Sequence, residues 1–314
     1  MSGTISRANA RTRPSTRRPR DGRRSPEIAR IAAGIDGFPE GDDAATLGRL
    51  LAEATDAELM LVAVHAAPLL PPPPELNAAS LRKESQRILR ETRDAFAPGA
   101  RTLTASDHSV ARSLQRVVQR HDRDLLVVGS SRQGPAGRVR IGKRTRQLLC
   151  HFDCALAVAP RGLHATPRPV RRIGVGFDGG PEAKAALAFA ASVAAGAGAE
   201  LHVQAVVDDR LPGARLSSLS GFLGLTWDEV IEAEMERTRD QAVAAGQDTE
   251  AQAVVAVSRG RPADALLALS ETVDLLVIGS RRWGPTARLL LGSTGEALMH
   301  DAACSVLAVP RPDR

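Results

Sequence analysis

The sequence predicts an α/β protein built as two doubly wound, five-stranded parallel-sheet domains in tandem. Three observations predict it. DLLVVGS at 124–130 returns 150 residues later as DLLVIGS at 274–280. GIDGFPE at 34–40 returns as GFDGGPE at 176–182, and CALAVAPR at 154–161 as CSVLAVPR at 304–311. Repeats this long are copies of a whole domain rather than solenoid units. Between them, short all-apolar runs alternate with helical patterns, the arrangement of parallel strands covered on both faces by crossover helices.

Each element has its own justification. IARIAAGI (28–35) reads as a buried strand, and Asp36-Gly37 turns the chain into a helix over about 43–56. LMLVAVH (59–65) is a second strand. Pro68 and Pro71 to Pro74 follow, a stiff segment that suits neither a helix nor a central strand. An amphipathic helix is expected at about 75–97, a short strand at 101–105 and a helix at 109–121. LLVVG (125–129) is the fourth strand, 130–142 a Gly/Arg loop, then a helix to 150 and the strand ALAVA (155–159).

The second copy repeats this order. RIGVGF (172–177) is a strand, 182–196 an Ala-rich helix, LHVQAVV (201–207) a strand and 208–225 a long loop. A helix at 227–245, the strand AQAVVAV (251–257), a helix at 262–271 and the strand LLVIG (275–279) follow. The loop 280–292, a helix at 293–301 and the strand SVLAV (305–309) complete it. The expected partition is a basic tail at 1–26, a first domain at 27–162, a Pro-containing linker at 163–170 and a second domain at 171–312.

Composition narrows the function classes. The chain has 314 residues, enough for two domains that each bury a core. No run of about 18 apolar residues predicts a transmembrane helix, and the N-terminus lacks the apolar region of a secretory signal. Three cysteines, Cys150, Cys154 and Cys304, are too few for a disulfide framework. A cytoplasmic protein is therefore expected. The net charge of +6 is uneven: Arg7, Arg11, Arg13, Arg17, Arg18, Arg20, Arg23 and Arg24 face only Asp21. This tail lacks apolar periodicity and is expected to be disordered. It is either a solubilising extension or a contact for an anionic surface or nucleic acid.

Doubly wound sheets bind ligands beyond the C-terminal strand ends, where the strand order reverses. The candidate elements are therefore Asp36 and Asp178, which end the two first strands, and the loops after the fourth strands. The second loop runs Gly279-Ser280-Arg281-Arg282-Trp283-Gly284-Pro285, then reaches Gly292-Ser293-Thr294. Its glycines allow backbone N–H groups to approach an anion. Ser293 and Thr294 open a helix, where hydroxyls and free N–H groups can hold phosphate. A glycine turn followed by an ordinary serine cap explains the same residues without a ligand.

Other motifs carry less. Gly137 to Lys143 nearly matches a P-loop, but Arg144 stands where Ser or Thr would hold magnesium, and the strand ends eight residues before Gly137. No G-x-G-x-x-G follows either first strand. Cys150-His151-Phe152-Asp153-Cys154 has metal-ligand residue types, but the second copy, His300-Asp301-Ala302-Ala303-Cys304, keeps one cysteine, which favours small buried residues over zinc. No nucleophile, base and oxyanion donor assemble, so no enzyme activity is expected beyond weak ATP hydrolysis.

The strand–Asp start, the VIGSRxxGP…LLLGS loop and the closing C-x-V-L-x-V-P strand resemble the universal stress protein family over nearly all of 27–312. The resemblance implies a Rossmann-like fold of the adenine nucleotide alpha hydrolase type, and a role in stress response through nucleotide-dependent conformation or partner binding. Its ATP-binding members carry G-x2-G-x9-G-[ST] in this loop. Gly279, Gly292 and Ser293 match; the second glycine falls on Arg282, and Gly284 matches a further family glycine. The family's adenosine contacts map to Asp178 and Val206, with Ser280, Arg281 and Thr294 as phosphate neighbours. ATP or AMP is the implied ligand, with Mg²⁺ accompanying the triphosphate. The first copy departs further. Asp36, Val64, Gly129, Gly134 and Gly142 remain, but Arg132 replaces the second glycine and Lys143 the serine, which points to a degenerate site. Lys143 could instead neutralise a phosphate. A nucleotide-free interaction module is the alternative function. The family's last strand mediates dimerisation, so a tandem chain is expected to pair its own two last strands, with a homodimer open.

Overall fold

The computed structural model describes residues 28–66, 78–142, 145–146, 154–208, 226–249, 251–282 and 289–310. The expected tail, the polyproline segment, most of the helix before Cys150, the loop over 209–225, Lys143 and Gly284 lie outside the described residues.

The first domain runs β1 (Arg30–Ile35), α1 (Pro39–Thr55), β2 (Glu58–Ala66), α2 (Ala78–Phe96), β3 (Arg101–Asp107), α3 (Val110–Arg120), β4 (Leu125–Gly129) and β5 (Ala155–Ala159). A short 3-10 turn, Leu163–Ala165, lies in the linker. The second domain runs β6 (Arg172–Phe177), α4 (Pro181–Ala197), β7 (Glu200–Val207), α5 (Trp227–Gln247), β8 (Ala253–Arg259) and α6 (Pro262–Ser270). It ends with β9 (Leu275–Arg282), β10 (Leu289–Leu290), α7 (Ser293–Asp301) and β11 (Ser305–Pro310).

Two expectations shift. Helix α1 begins at Pro39 rather than near residue 43, because proline fits the first helical position and Glu40 and Asp42 suit the positive end of the helix dipole. The expected loop after Gly279 starts as strand: β9 continues to Arg282 and pairs antiparallel with β10, Arg281 opposite Leu290 and Arg282 opposite Leu289.

The strand order is β3-β2-β1-β4-β5-β11-β9-β6-β7-β8. Each domain contributes five parallel strands in the doubly wound order. The two last strands join them: β5 and β11 run antiparallel, with Val158 opposite Val306 and Ala157 opposite Leu307. Both are apolar and buried, so each covers an edge that would otherwise be unpaired. Helices α1 and α4 meet across this seam. A Cβ on Gly196 would lie 2.0 Å from the Ala54 carbonyl oxygen, so only glycine allows the approach. One continuous apolar layer, including Leu47, Leu51, Leu187 and Val193, runs through both domains on this face.

Several residues shared by the copies serve the fold. Asp124 accepts the backbone N–H groups of Ala29 (3.1 Å) and Arg30 (3.0 Å). Asp274 does the same for Arg171 and Arg172, both at 2.9 Å. Each aspartate ties the start of a fourth strand to that of a first. Cys154 and Cys304 are buried beside the last strands. Burial, with Asp274 and Glu271 nearby, raises the Cys304 thiol pKa far above its usual range. Both behave as packing residues. Among the described residues no cluster of three His, Cys, Asp or Glu side chains suits a metal ion.

Candidate functional site: two copies of one crevice

In both domains the strand order reverses between the first and fourth strands, so the crevices open at the ends of β1 and β4 and of β6 and β9. Asp36 and Asp178 sit at the mouths. Both are exposed, and each accepts a backbone N–H two residues on: Phe38 N at 3.2 Å and Gly180 N at 2.9 Å. The turns need glycine, because Gly37 and Gly179 have φ of 79° and 76°. The aspartates therefore hold the strand-to-helix turns, with carboxylates at the crevice mouth. Val64 and Val206 are partly buried near the ends of the second strands, paired with Ala105 and Ser258.

The first loop glycines have a packing role. A Cβ on Gly129 would lie 1.9 Å from the Glu40 carbonyl oxygen; on Gly279 it would lie 2.5 Å from that of Glu182. They let the first turns of α1 and α4 press onto the strand ends. Ser280 has a partner for its hydroxyl within the sheet. It is 1% exposed and donates to the Val309 carbonyl at 3.1 Å. Its counterpart Ser130 donates to Ala159 O at 2.7 Å. Both hydroxyls fasten the fourth strand to the last.

The loops end differently. In the second copy Gly292 is the N-cap of α7, exposed, with no side-chain capping bond and nothing within 4 Å of where a Cβ would stand. Ser293 is exposed and Thr294 half-buried beside it. This helix start presents backbone N–H groups and two hydroxyls at the C-terminal end of the parallel strands.

In the first copy, Arg132 crosses the crevice. Its guanidinium lies 3.8 Å from the Phe38 ring centroid, linking the loop after β4 to the turn after β1. Gly180 stands at the Phe38 position of the second copy, so the sequence there lacks the aromatic partner. The first loop is also folded back on itself. Gly134 leaves no room for a Cβ, which would come 2.8 Å from Arg140 Cβ, and its carbonyl accepts Arg161 Nη1 at 2.8 Å. Gly142 has only ordinary contact, with Ser131 at 3.7 Å.

The arm that follows has a use that sequence reasoning missed. Val139 N donates to Ala302 O at 2.8 Å and Ile141 N to Met299 O at 2.9 Å. Arg138 donates to Asp301 O at 2.6 Å and pairs with Glu271 at 2.7 Å. The C-terminal carbonyls of α7 are thus satisfied by the first domain. Val139 and Ile141 are buried against Leu298 and Met299. The alternating apolar pair in RVRI was the available signal.

The universal stress protein family model matches residues 27–160 and again 169–310. A universal stress protein of Mycobacterium tuberculosis strain H37Rv is 26% identical over 291 residues, covering 88% of this chain and 95% of its own. One from Mycolicibacterium smegmatis is 26% identical over 299 residues, covering 89% and 96%. The solved structure of a universal stress protein from Archaeoglobus fulgidus superposes with a TM-score of 0.62 at 17% identity, covering 91% of this chain and all of the other; it shares the fold. With the family model matched twice across a duplicated fold, the chain belongs to the universal stress protein family as a tandem two-domain member.

Proposed function

We propose that the second domain binds an adenine nucleotide, ATP or AMP, and that the protein acts in stress response by nucleotide-dependent conformation or partner binding rather than by turnover. The observation that carries this is the start of α7. Gly292 has open space where a side chain would stand, and the helix lacks a side-chain cap at the sheet's ligand end. Backbone N–H groups there, with the Ser293 and Thr294 hydroxyls, would hold phosphate oxygens. Asp178 and Val206 would take the nucleoside, and Arg281 and Gly284 would complete the loop. Adenine as the base comes from the family motif. Mg²⁺ would travel with the triphosphate. The Arg132–Phe38 stack supports a first domain that has given up the site.

Calorimetric titration of the full chain with ATP and Mg²⁺ tests this. The expected result is one saturable site per chain, lost in Gly292→Val and weakened in Asp178→Ala. Absence of binding at millimolar ATP would overturn it in favour of a nucleotide-free interaction module.

A further inference from the structure

We propose that the groove between α2 and the edge strand β3 binds an acidic peptide segment in extended form. The groove has a volume of about 410 Å³ and is lined by Arg82, Gln86, Leu89, Arg90, Arg93 and the strand Thr102–Thr104. It is separate from both crevices and independent of the nucleotide reading.

Its charge is strongly one-sided. Arg82, Gln86 and Arg90 follow at i, i+4 and i+8, one stripe of the helix, with Arg93 on the next turn. Arg93 pairs with its neighbour Asp94 at 2.8 Å. Arg82 and Arg90 have no ion-pair partner among the described residues. The other nearby acids are engaged: Glu84 and Glu91 with Arg87, Asp107 with Arg116, Glu58 with Arg123 and Arg101. Burial, and the charge of Arg82, depress the pKa of His65 at the end of β2. A cationic stripe in which Arg82 and Arg90 lack an ion-pair partner among the described residues, beside Thr102 and Thr104, favours carboxylates.

The duplication supplies a control. By strand register, Thr102 lies opposite Leu61 and Thr104 opposite Ala63; at the same places in the second domain, Val255 lies opposite Val203 and Val257 opposite Ala205. Matching the buried helix residues Leu89 and Ala242 puts Val243 at the Arg90 position and Gly246 at that of Arg93. Gly246 is so close that a Cβ would stand 3.1 Å from Ala253. The same match puts Met235 at the Arg82 position and Arg239 at that of Gln86, so the second copy keeps one cation in this stripe, beside Val243 and Gly246. The first copy lines its groove with three, Arg82, Arg90 and Arg93.

The occupant follows from the walls. Strand β3 ends the sheet, and among the described residues nothing pairs with its outer edge. A free edge accepts an extended backbone. Residues at i and i+4 on a helix are about 6 Å apart along its axis. Alternate side chains of a strand are about 6.6 Å apart. Acidic residues at every second position of an added strand would therefore keep step with Arg82, Gln86 and Arg90. No aromatic side chain lines the groove, which disfavours single-stranded nucleic acid, whose bases stack on rings.

The test uses the full chain and a fluorescein-labelled octapeptide of alternating aspartate and valine, followed by anisotropy. Saturable binding is expected, with an alternating lysine–valine peptide failing to bind. Arg82→Glu with Arg90→Glu should weaken binding at least about tenfold, with the circular dichroism spectrum unchanged. N-methylation of alternate peptide nitrogens should also weaken it about tenfold, because an edge-strand complex needs those N–H groups. Undiminished binding by the double variant would assign the peptide to the arginine-rich tail and overturn the proposal. So would no saturation at millimolar peptide, indifference to N-methylation, or tighter, variant-sensitive binding of an oligothymidylate.

Discussion

The guanidinium of Arg132 lies 3.8 Å over the ring of Phe38, and the two residues come from opposite lips of the first domain's crevice. The stack joins the loop after β4 to the N-cap of α1. Phe38 is 42% exposed, so this is a solvent-facing cation–π contact of about 0.5–1 kcal/mol. Removing it with Phe38→Gly and Arg132→Gly should cost little stability and leave the second domain's nucleotide affinity unchanged. A second, weaker nucleotide site should appear in a calorimetric titration. A titration that still ends at one would move the obstruction to Lys143.

The loop glycines should separate packing from binding. Gly129→Ala brings a Cβ to 1.9 Å from a backbone oxygen and Gly279→Ala to 2.5 Å, whereas Gly292→Ala meets nothing within 4 Å. Backbone cannot yield as a flexible side chain does, so the first two should destabilise by about 1–3 kcal/mol, Gly129→Ala the more. Gly292→Ala should leave chemical denaturation unchanged within about 0.5 kcal/mol. Equal losses at all three positions would refute the distinction between Gly292 and the packing glycines.

The elements were legible because burial wrote itself into short apolar runs such as LLVVG and ALAVA, and because the chain carries each pattern twice. The site was legible only in part. Ser280 and Gly279 look like phosphate-loop residues in sequence, and their contacts with Val309 and Glu182, on segments that the fold brings together, are invisible there. The aspartate of DLLVIGS serves backbone N–H groups 102 and 103 residues away. The Arg132–Phe38 stack and the docking of Arg138 on Asp301, 163 residues off, depend on tertiary placement that no local pattern encodes. The strand extension to Arg282 was hidden because Arg281 and Arg282 lack the apolar signature of a buried strand.

Asp42 offers a test in pH. Burial raises its pKa above 3.8, against the hydrogen bond from Thr92 Oγ1 at 3.0 Å and the nearby His164. Folding therefore favours the protonated carboxyl. This group's contribution to stability declines as pH climbs from the unfolded value through the folded one. Asp42→Asn keeps an acceptor for Thr92 and removes the half-buried charge. It should raise the melting temperature at pH 7 by about 1–3 °C, with the gain vanishing near pH 3. A gain that persists unchanged in acid would show that charge is not the cause.

The arm of the first domain should govern the site of the second. Helix α7 carries the Gly292–Thr294 start at one end, while at the other its carbonyls accept Ile141 N, Val139 N and Arg138. A nine-residue helix is too short to hold its position without its neighbours. Ile141 is 6% exposed, so Ile141→Ala removes buried contact with Met299 and should cost about 2–4 kcal/mol. Arg138→Ala leaves the apolar contact and takes away one carbonyl bond and an exposed ion pair, for about 1 kcal/mol. Faster amide hydrogen exchange should follow in α7 for both variants, Ile141→Ala the more. ATP affinity should fall with it, although neither residue lies at the crevice. Arg138→Lys, which keeps the charge but not the forked geometry, should recover only part of the protection. Unchanged exchange in α7 would show that the helix stands without the arm, and that the two domains share a sheet but not a site.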